Sequence, residues 1–160
     1  MIQKHIDITY SEFRSADEMI PEDRELVGAA IEAMSGAYAP YSHFHVGAAV
    51  RLSNGQIVKG SNQENAAFPS GLCAERTAMF AASSRYPDKD MLSIAIAGGV
   101  LGMLGTSPAT PCGACRQVLY EFGPDMEVVC LNKDNEEKHL HIKELLPYGF
   151  DQTWLAIDEK

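Results

Sequence analysis

Basic residues are scarce in this chain of 160 amino acids. Lys and Arg together number 13 against 22 Asp and Glu, which gives a formal net charge of −9 with the histidines neutral. Proteins that hold a phosphate backbone usually present a basic face, whose Lys and Arg side chains displace counterions. The deficit argues against a nucleic-acid-binding protein, and we expect no nucleic acid among its partners.

Long apolar runs are also missing. The longest uncharged and mostly apolar stretch, SIAIAGGVLGMLG (93–105), is interrupted by four glycines. It is shorter than the roughly 20 residues that a transmembrane helix needs. The N-terminal MIQKHIDITY lacks the continuous apolar segment of a secretory signal. We therefore expect a cytoplasmic protein with no membrane partner.

Cysteine is limited to four residues. In a cytoplasmic protein, cysteines more often serve as metal ligands or buried thiols than form a disulfide framework. With 46% hydrophobic and 22% charged residues, the chain has the balance of a globular domain. No internal repeat, linker or low-complexity segment divides it, so we predict one domain over residues 1–160. Residues 1–14 are compatible with a strand or with a poorly ordered lead-in.

Helical and extended patterns alternate along the chain. PEDRELVGAAIEAM (21–34) predicts a helix, because it combines a proline suited to a first turn, early acidic residues and an apolar stripe. The Asn54-Gly55 pair between VGAAVRL (46–52) and QIVKGS (56–61) favours positive φ angles and predicts a tight hairpin. Strands separated by single helices predict a mixed or parallel sheet with helices on its faces. The other predicted elements are helices at 74–84 and 112–122 and strands at 92–98, 126–132 and, weakly, 139–143.

Two cysteines in PCGACRQVL (111–119) are three positions apart. On a helical turn this spacing directs both sulfurs to the same side, a pattern that recurs in zinc sites. A C-x-x-C pair in a cytoplasmic α/β protein is equally compatible with a redox dithiol. From the spacing of Cys112 and Cys115 alone, both interpretations stay open.

A third cysteine, Cys73, precedes Glu75 at a predicted helix start in GLCAERTAMF (71–80). The helix dipole stabilises a thiolate there, although a free cysteine is commonly a small buried core residue. A structural zinc site has no use for a neighbouring carboxylate, whereas a catalytic site keeps one position for water and needs a base. We therefore favour a catalytic site with Glu75 as the base. The alternative is a carboxylate that only complements the helix dipole.

The fourth cysteine, Cys130, lies between Val129 and Leu131 in a predicted buried strand. We expect it to pack in the core. The rival interpretation is a closed site with four cysteine ligands, which would make the protein a non-catalytic scaffold stapled by zinc.

Five motifs run from about Tyr38 to Phe150: YSHFHVGAAV, GSNQENA, CAERTA, PCGACRQV and ELLPYGF. Together they resemble the zinc-dependent cytidine deaminases, specifically the small homotetrameric kind with three cysteine ligands. The resemblance implies an α/β fold, a three-layer α-β-α sandwich with a mixed five-stranded sheet. It also implies hydrolytic deamination of cytidine and 2′-deoxycytidine to the uridines plus ammonia, as in pyrimidine salvage. The expected partners are a small nucleoside substrate and further copies of the chain, as a homotetramer.

For the chemistry, the resemblance assigns Cys73, Cys112 and Cys115 as the ligands of one Zn²⁺ per subunit. A metal-activated hydroxide attacks the ring carbon that bears the amino group, and a glutamate that is not a ligand moves protons. That glutamate is Glu75, which would take the proton from water, protonate N3 and help ammonia leave C4.

For the substrate, the N-x-E pattern of the family falls on Asn62 and Glu64, which would hold the ribose 3′-hydroxyl. Two residues apart on an extended segment, their side chains face the same side. Phe44 corresponds to the aromatic that packs against the pyrimidine. Phe150 corresponds to an aromatic that reaches a neighbouring subunit's site, although a lone Phe is more often a core residue.

Two arginines, Arg76 and Arg116, follow Glu75 and Cys115 directly in the sequence. Three thiolates leave a Zn²⁺ site with net negative charge. We expect both arginines to hydrogen-bond the sulfurs and withdraw part of that charge.

Two features depart from the family pattern: His45 stands where proline is common, and GGVLGMLGTSPAT (98–110) is unusually rich in glycine and apolar residues. We expect both to affect the shape of the pocket. Two other substrates remain as alternatives, an antibiotic nucleoside and cytosine in a polynucleotide. The first is expected to lack the full N-x-E-N and C-A-E-R-T pattern, and the second to need a basic groove with stacking aromatics.

Overall fold

The computed structural model describes residues 1–132, 134 and 137–155, which contain six strands, four α-helices and four short 3-10 helices. The end of the predicted domain, residues 156–160, lies outside the described residues, and the extent 1–160 stays a prediction. The strands are β1 (Ser11–Phe13), β2 (Phe44–Leu52), β3 (Ile57–Ser61), β4 (Met91–Val100), β5 (Glu127–Leu131) and β6 (Glu137–His141). The helices are α1 (Pro21–Ala33), α2 (Ala74–Arg85), α3 (Gly113–Phe122) and α4 (Ile142–Leu145).

One mixed sheet holds all of these strands, in the order β1-β6-β5-β4-β2-β3. β4 and β5 run parallel, and the other neighbouring strands are antiparallel. Strands β2 to β6 are the predicted five. β1 adds a short edge strand, paired with β6 from Ser11↔His139 to Phe13↔Glu137. Of the two possibilities that the sequence left open for residues 1–14, the strand is therefore found at positions 11–13.

Alternate residues of the central strands face two separate helical layers. Ile94 and Ile96 of β4 pack in one apolar cluster with α2 and α3, whereas Ala95 and Ala97 pack in a second cluster with α1. This alternation is expected of a strand that is buried on both faces. The predicted three-layer α-β-α sandwich is confirmed.

The element boundaries follow local chemistry. α1 begins at Pro21, with two acidic residues in its first turn, as the sequence predicts. Gly55 has φ 82° in the turn between β2 and β3, which confirms the hairpin. β6 ends two residues earlier than predicted because Ile142 begins α4, whose first turn is capped by a 3.4 Å hydrogen bond from the His141 N–H to Glu144.

Among the described helices, none combines the length and the apolar character that crossing a bilayer requires.

Gly60 allows the start of α2 to lie directly against β3. A Cβ atom at this position would be 2.3 Å from the Ala78 nitrogen and 2.8 Å from the Ala74 carbonyl oxygen, separations that real Cβ atoms essentially never show. Only a glycine therefore fits between this strand and this helix. The contact fixes the first turn of α2, which carries the candidate acid Glu75.

Candidate active site

Two helix N-termini bring three cysteines together. Cys73 is the N-cap of α2 and Cys112 is the N-cap of α3, both with extended backbone, and Cys115 lies in the first turn of α3. The Sγ atoms of Cys73 and Cys112 are 4.0 Å apart, and those of Cys112 and Cys115 are 3.4 Å apart. All three sulfurs lie within 4.8 Å of one another.

This cluster fits a zinc ion. Zn–S bonds of about 2.3 Å in tetrahedral geometry place sulfur atoms roughly 3.8 Å apart. The distances of 3.4 and 4.0 Å lie on either side of that value. Three protein ligands leave the fourth position of a tetrahedral zinc for a water molecule or a substrate, as in catalytic sites.

Hydrogen bonds among the three thiols and the nearby Arg76 guanidinium affect the charge of the cysteine cluster. Hydrogen bonding from Cys115 lowers the pKa of the Cys73 thiol to about 5, with a further contribution from Arg76 and against the opposing effect of burial. The same hydrogen bond raises the pKa of Cys115, which is fully buried. A thiol whose pKa is lowered ionises readily, and the thiolate is the form that binds a metal.

Glu75 converges on the same site from the second position of α2. Cys73 is two residues away but has the extended backbone of an N-cap, and both side chains line one cleft. Glu75 is 5% exposed. Burial raises the pKa of its carboxyl group, although a hydrogen bond from Cys115 opposes the shift. A carboxyl group with a raised pKa is suited to taking up and returning a proton near neutral pH.

The cleft has a volume of 790 Å³ and extends from the cysteines to the end of β3. Asn62 follows β3, and its side-chain amide is tied to β2: Oδ1 accepts from the Val46 N–H at 2.8 Å, and Nδ2 donates to the Phe44 carbonyl at 2.8 Å. An amide offers two donors and two acceptor positions. One of each therefore remains for a ligand.

Glu64 lies beside Asn62 in the cleft and is held by the turn before β2. The Ser42 hydroxyl donates to Oε1, and the N–H groups of Tyr41 and Ser42 donate to Oε2 at 2.9 and 3.3 Å. These bonds, the Ser42 hydroxyl first, lower the pKa of the Glu64 carboxyl group. Sequence reasoning missed Ser42; its position in YSHFHVGAAV, two residues before Phe44, was the available signal.

The two candidate aromatics have different positions. Phe44 lines the cleft and is 40% exposed. Phe150 is 54% exposed and is not among the described residues that line the cleft; its carbonyl accepts a 2.8 Å hydrogen bond from the Gln117 side chain. The structure thus brings Phe44, Asn62, Glu64 and the metal cluster together and leaves Phe150 outside.

The two arginines also differ, and one departs from expectation. The Arg76 guanidinium lies 3.8 Å from the Cys73 sulfur and 3.4 Å from the Gly71 carbonyl. Arg116 instead donates to the carbonyl oxygens of Pro111 and Leu145, at 2.9 and 3.0 Å. These bonds connect the segment before α3 to Leu145, the last residue of α4, whose carbonyl has no partner within that helix. The guanidinium is thus used by backbone carbonyls and not by the sulfurs.

The departures at His45 and at residues 98–110 affect the cleft differently. Phe44 and Val46 line the cleft, and His45 between them faces the other side of β2. From the loop, Ala109 and Thr110 contribute to the lining. The loop, rather than the histidine, therefore shapes the pocket.

Residues 20–132 match the family described as the cytidine and deoxycytidylate deaminase zinc-binding region. The chain belongs to this family. The match spans α1 to β5 and includes every cysteine of the cluster, Glu75, Asn62 and Glu64.

Individual deaminases resemble the chain over most of their length. The cytidine deaminase of Halalkalibacterium halodurans is 42% identical over 130 residues, which cover 80% of this chain and 94% of that protein. A probable cytidine deaminase of Dictyostelium discoideum is 40% identical over 132 residues, or 82% of this chain and 85% of that protein. The crystal structure of cytidine deaminase from Burkholderia pseudomallei superimposes with a TM-score of 0.72 at 40% identity, and the match covers 79% of this chain and 97% of that one.

Membership of a zinc-binding deaminase family supports the interpretation of the three-cysteine cluster as a zinc site. The redox-dithiol alternative for Cys112 and Cys115 is not favoured, because Cys73 joins them in one cluster. Cys130 is fully buried within the apolar core of β5, and the cluster does not include it. This position is the core packing expected of Cys130, and it disfavours the four-cysteine scaffold.

Proposed function

We propose that this protein deaminates cytidine and 2′-deoxycytidine hydrolytically to uridine and 2′-deoxyuridine, with release of ammonia. The observation that carries the proposal is the buried Glu75 in a cleft that is lined by two of the three clustered cysteines. Relatives that cover most of the chain are cytidine deaminases, which supports the same conclusion.

Cys73, Cys112 and Cys115 would hold the zinc ion. When bound, such an ion lowers the pKa of water and supplies a nucleophile at neutral pH. Arg76, at 3.8 Å from the Cys73 sulfur, withdraws negative charge from the cluster.

Glu75 is the proton shuttle in this proposal. Its carboxylate accepts a proton from the attacking water and delivers it to N3 of the pyrimidine, which makes C4 more electrophilic. It then takes the remaining proton from the hydroxyl group now on C4 and transfers it to the amino nitrogen, so that the C4–N bond breaks, ammonia leaves and the C4 carbonyl of the uridine forms. Burial, which raises the pKa of Glu75, brings its proton affinity closer to the neutral pH at which both transfers occur.

Asn62, Glu64 and Phe44 bind the substrate. The free donor and acceptor of Asn62 and the carboxylate of Glu64 suit a sugar hydroxyl, which is both a donor and an acceptor. The exposed ring of Phe44, on the same wall, packs against the base.

A nucleoside fits the cleft better than a nucleotide such as deoxycytidylate. Glu64 and Glu75 are the acidic side chains of the lining, and among the described residues that line it Arg76 is the sole cation, already occupied by Cys73 and Gly71. A 5′-phosphate usually needs an uncommitted Arg, Lys or helix N-terminus. We therefore expect cytidine to be used far better than deoxycytidylate.

Assembly and location are part of the proposal. We infer a homotetramer in which Phe150, exposed here, completes a neighbouring subunit's site; a fully active monomer in sedimentation experiments would contradict it. The four free cysteines support the cytoplasm, where thiols stay reduced.

The test compares ammonia release from cytidine and zinc content in the wild type and in Glu75→Gln. We expect the wild type to release ammonia, and the mutant to keep its zinc but lose activity. Ammonia release from cytidine is compared with ammonia release from deoxycytidylate, blasticidin S and single-stranded DNA. Turnover of those three without turnover of cytidine would contradict the substrate, and a zinc-loaded wild type that deaminates none of them would contradict deamination.

A further inference from the structure

Ser42 lines the cleft and lies two residues before Phe44, where β2 begins. Its hydroxyl takes part in two hydrogen bonds: it accepts from the Phe44 N–H at 3.0 Å, and it donates to Oε1 of Glu64. A hydroxyl has a single proton. Because the Phe44 N–H is itself a donor, the proton of Ser42 is committed to the Glu64 carboxylate.

The rest of Glu64 is held by the backbone around Ser42. Oε2 accepts from the N–H groups of Tyr41 and Ser42, at 2.9 and 3.3 Å. The Glu64 N–H donates to the Tyr38 carbonyl at 2.8 Å, which fixes the main chain as well. A partly buried glutamate at a loop start is thus restrained at both of its ends.

We propose that Ser42 is a positioning residue for substrate discrimination: it orients the ionised Glu64 carboxylate so that it accepts a hydrogen bond from the 3′-hydroxyl of the nucleoside. The inference rests on the proposed function. An unrestrained glutamate has many rotamers and loses that freedom when a ligand immobilises it. Ser42 and its backbone impose the restriction before the substrate arrives.

The arrangement also determines which substrates are preferred. An ionised carboxylate only accepts hydrogen bonds, so it selects a sugar that donates one. A nucleoside without the 3′-hydroxyl leaves Glu64 without that partner. The strength of this preference depends on Ser42, because the serine sets the direction of Oε1.

Two substrates that differ only in the 3′-hydroxyl test the inference: 2′-deoxycytidine and 2′,3′-dideoxycytidine. kcat/KM is measured for both with the wild type, Ser42→Ala, Ser42→Thr and the control Ser35→Ala. Ser35 is another exposed serine, whose hydroxyl donates to the Glu32 carbonyl at 2.8 Å, outside the cleft lining.

We expect the wild type to prefer 2′-deoxycytidine, and Ser42→Ala to reduce that preference by about tenfold, the size expected for loss of a hydrogen bond to a charged group. The reduction comes from 2′-deoxycytidine, while kcat/KM for 2′,3′-dideoxycytidine stays nearly constant. Ser42→Thr, which keeps the hydroxyl, restores the preference, and Ser35→Ala leaves it unchanged.

The contrary outcomes are distinct. Equal losses on both substrates in Ser42→Ala would mean that the serine only supports the loop, which would overturn the inference and leave the proposed deamination intact. If the wild type deaminates both substrates equally, the 3′-hydroxyl does not contribute to substrate recognition, and the proposed role of Ser42 is wrong. A wild type that releases no ammonia from cytidine or 2′-deoxycytidine would overturn the proposed function itself.

Discussion

At the metal end of the cleft, Cys115 and Glu75 are 0% and 5% exposed and stand on the first turns of two helices packed against the sheet. At the sugar end, Ser42 and Phe44 are exposed and Glu64 is only partly buried. Packing holds the first group in place, whereas hydrogen bonds between surface groups hold the second. The two ends therefore respond to different kinds of perturbation.

The two glutamates illustrate the difference. Burial raises the pKa of Glu75, and hydrogen bonds led by the Ser42 hydroxyl lower the pKa of Glu64. Pairs of carboxyl groups whose environments push their pKa values apart commonly have different roles. Here the group with the raised pKa is suited to moving protons, and the group with the lowered pKa is suited to a fixed acceptor.

Removing a buried ligand is expected to have the largest effect. Cys115→Ser loses one sulfur of the cluster, so we expect loss of zinc and of all detectable deamination. Cys130→Ser is the matched control, because Cys130 is equally buried but packs in the core. It should keep its zinc and lose only stability, by roughly 1–3 kcal/mol for the buried hydroxyl. Metal analysis and urea unfolding check both, and a zinc-free Cys130→Ser would revive the four-cysteine site.

Changing the charge beside the cluster is expected to have the next largest effect. Arg76→Ala removes the guanidinium that contacts Cys73, so kcat should fall by about 10- to 100-fold, as is typical for residues that support metal ligands, while zinc content falls less. Arg116→Ala is the control, because its guanidinium binds the carbonyls of Pro111 and Leu145. It should reduce stability more than kcat. Full activity in Arg76→Ala would make that arginine only a surface charge.

Altered packing behind the metal end is expected to have a smaller effect. Gly60→Ala forces β3 and α2 apart at Ala78, so we expect roughly 1–3 kcal/mol of lost stability and a lower kcat from a displaced Glu75. Gly28→Ala in α1 is the control, since a Cβ there meets nothing within 4 Å. It should stabilise the protein by about 0.5–1 kcal/mol. Urea unfolding measures both, and equal stabilities would show that the layer spacing is not rigid.

The sequence predicted the metal end better than the sugar end, for a physical reason. Cys73, Glu75, Cys112 and Cys115 are positioned by helix starts, which short-range signals reveal. Arg116 was expected at a sulfur, but its reach to Leu145 depends on α4, 29 residues further along the chain. Ser42 was overlooked because its partner Glu64 is 22 residues away. Hairpin and helix positions were predictable from local residues, whereas the edge strand β1 depends on distant pairing with β6.

The smallest expected effect sharpens the comparison at the sugar end and concerns pH. The Ser42 hydroxyl, the N–H groups of Tyr41 and Ser42, and the nearby His43 lower the pKa of Glu64. A lowered pKa keeps the Glu64 carboxylate ionised to a lower pH than an ordinary glutamate. Ligand binding that uses the ionised carboxylate should therefore persist until the pH falls through this lowered pKa, and weaken at lower pH. We therefore expect Ser42→Ala to move this weakening to higher pH.

The measurement is the Kd of the product 2′-deoxyuridine by calorimetry as the pH is lowered, with 2′,3′-dideoxyuridine as the matched ligand. Both ligands face the same cysteines and Glu75, so titration at the metal end cancels in the ratio of their Kd values. What remains is the pH dependence of the 3′-hydroxyl contact with Glu64. If the ratio is constant with pH in the wild type and in Ser42→Ala alike, then the charge of Glu64 does not contribute to sugar binding, and the contrast drawn here between the two glutamates fails.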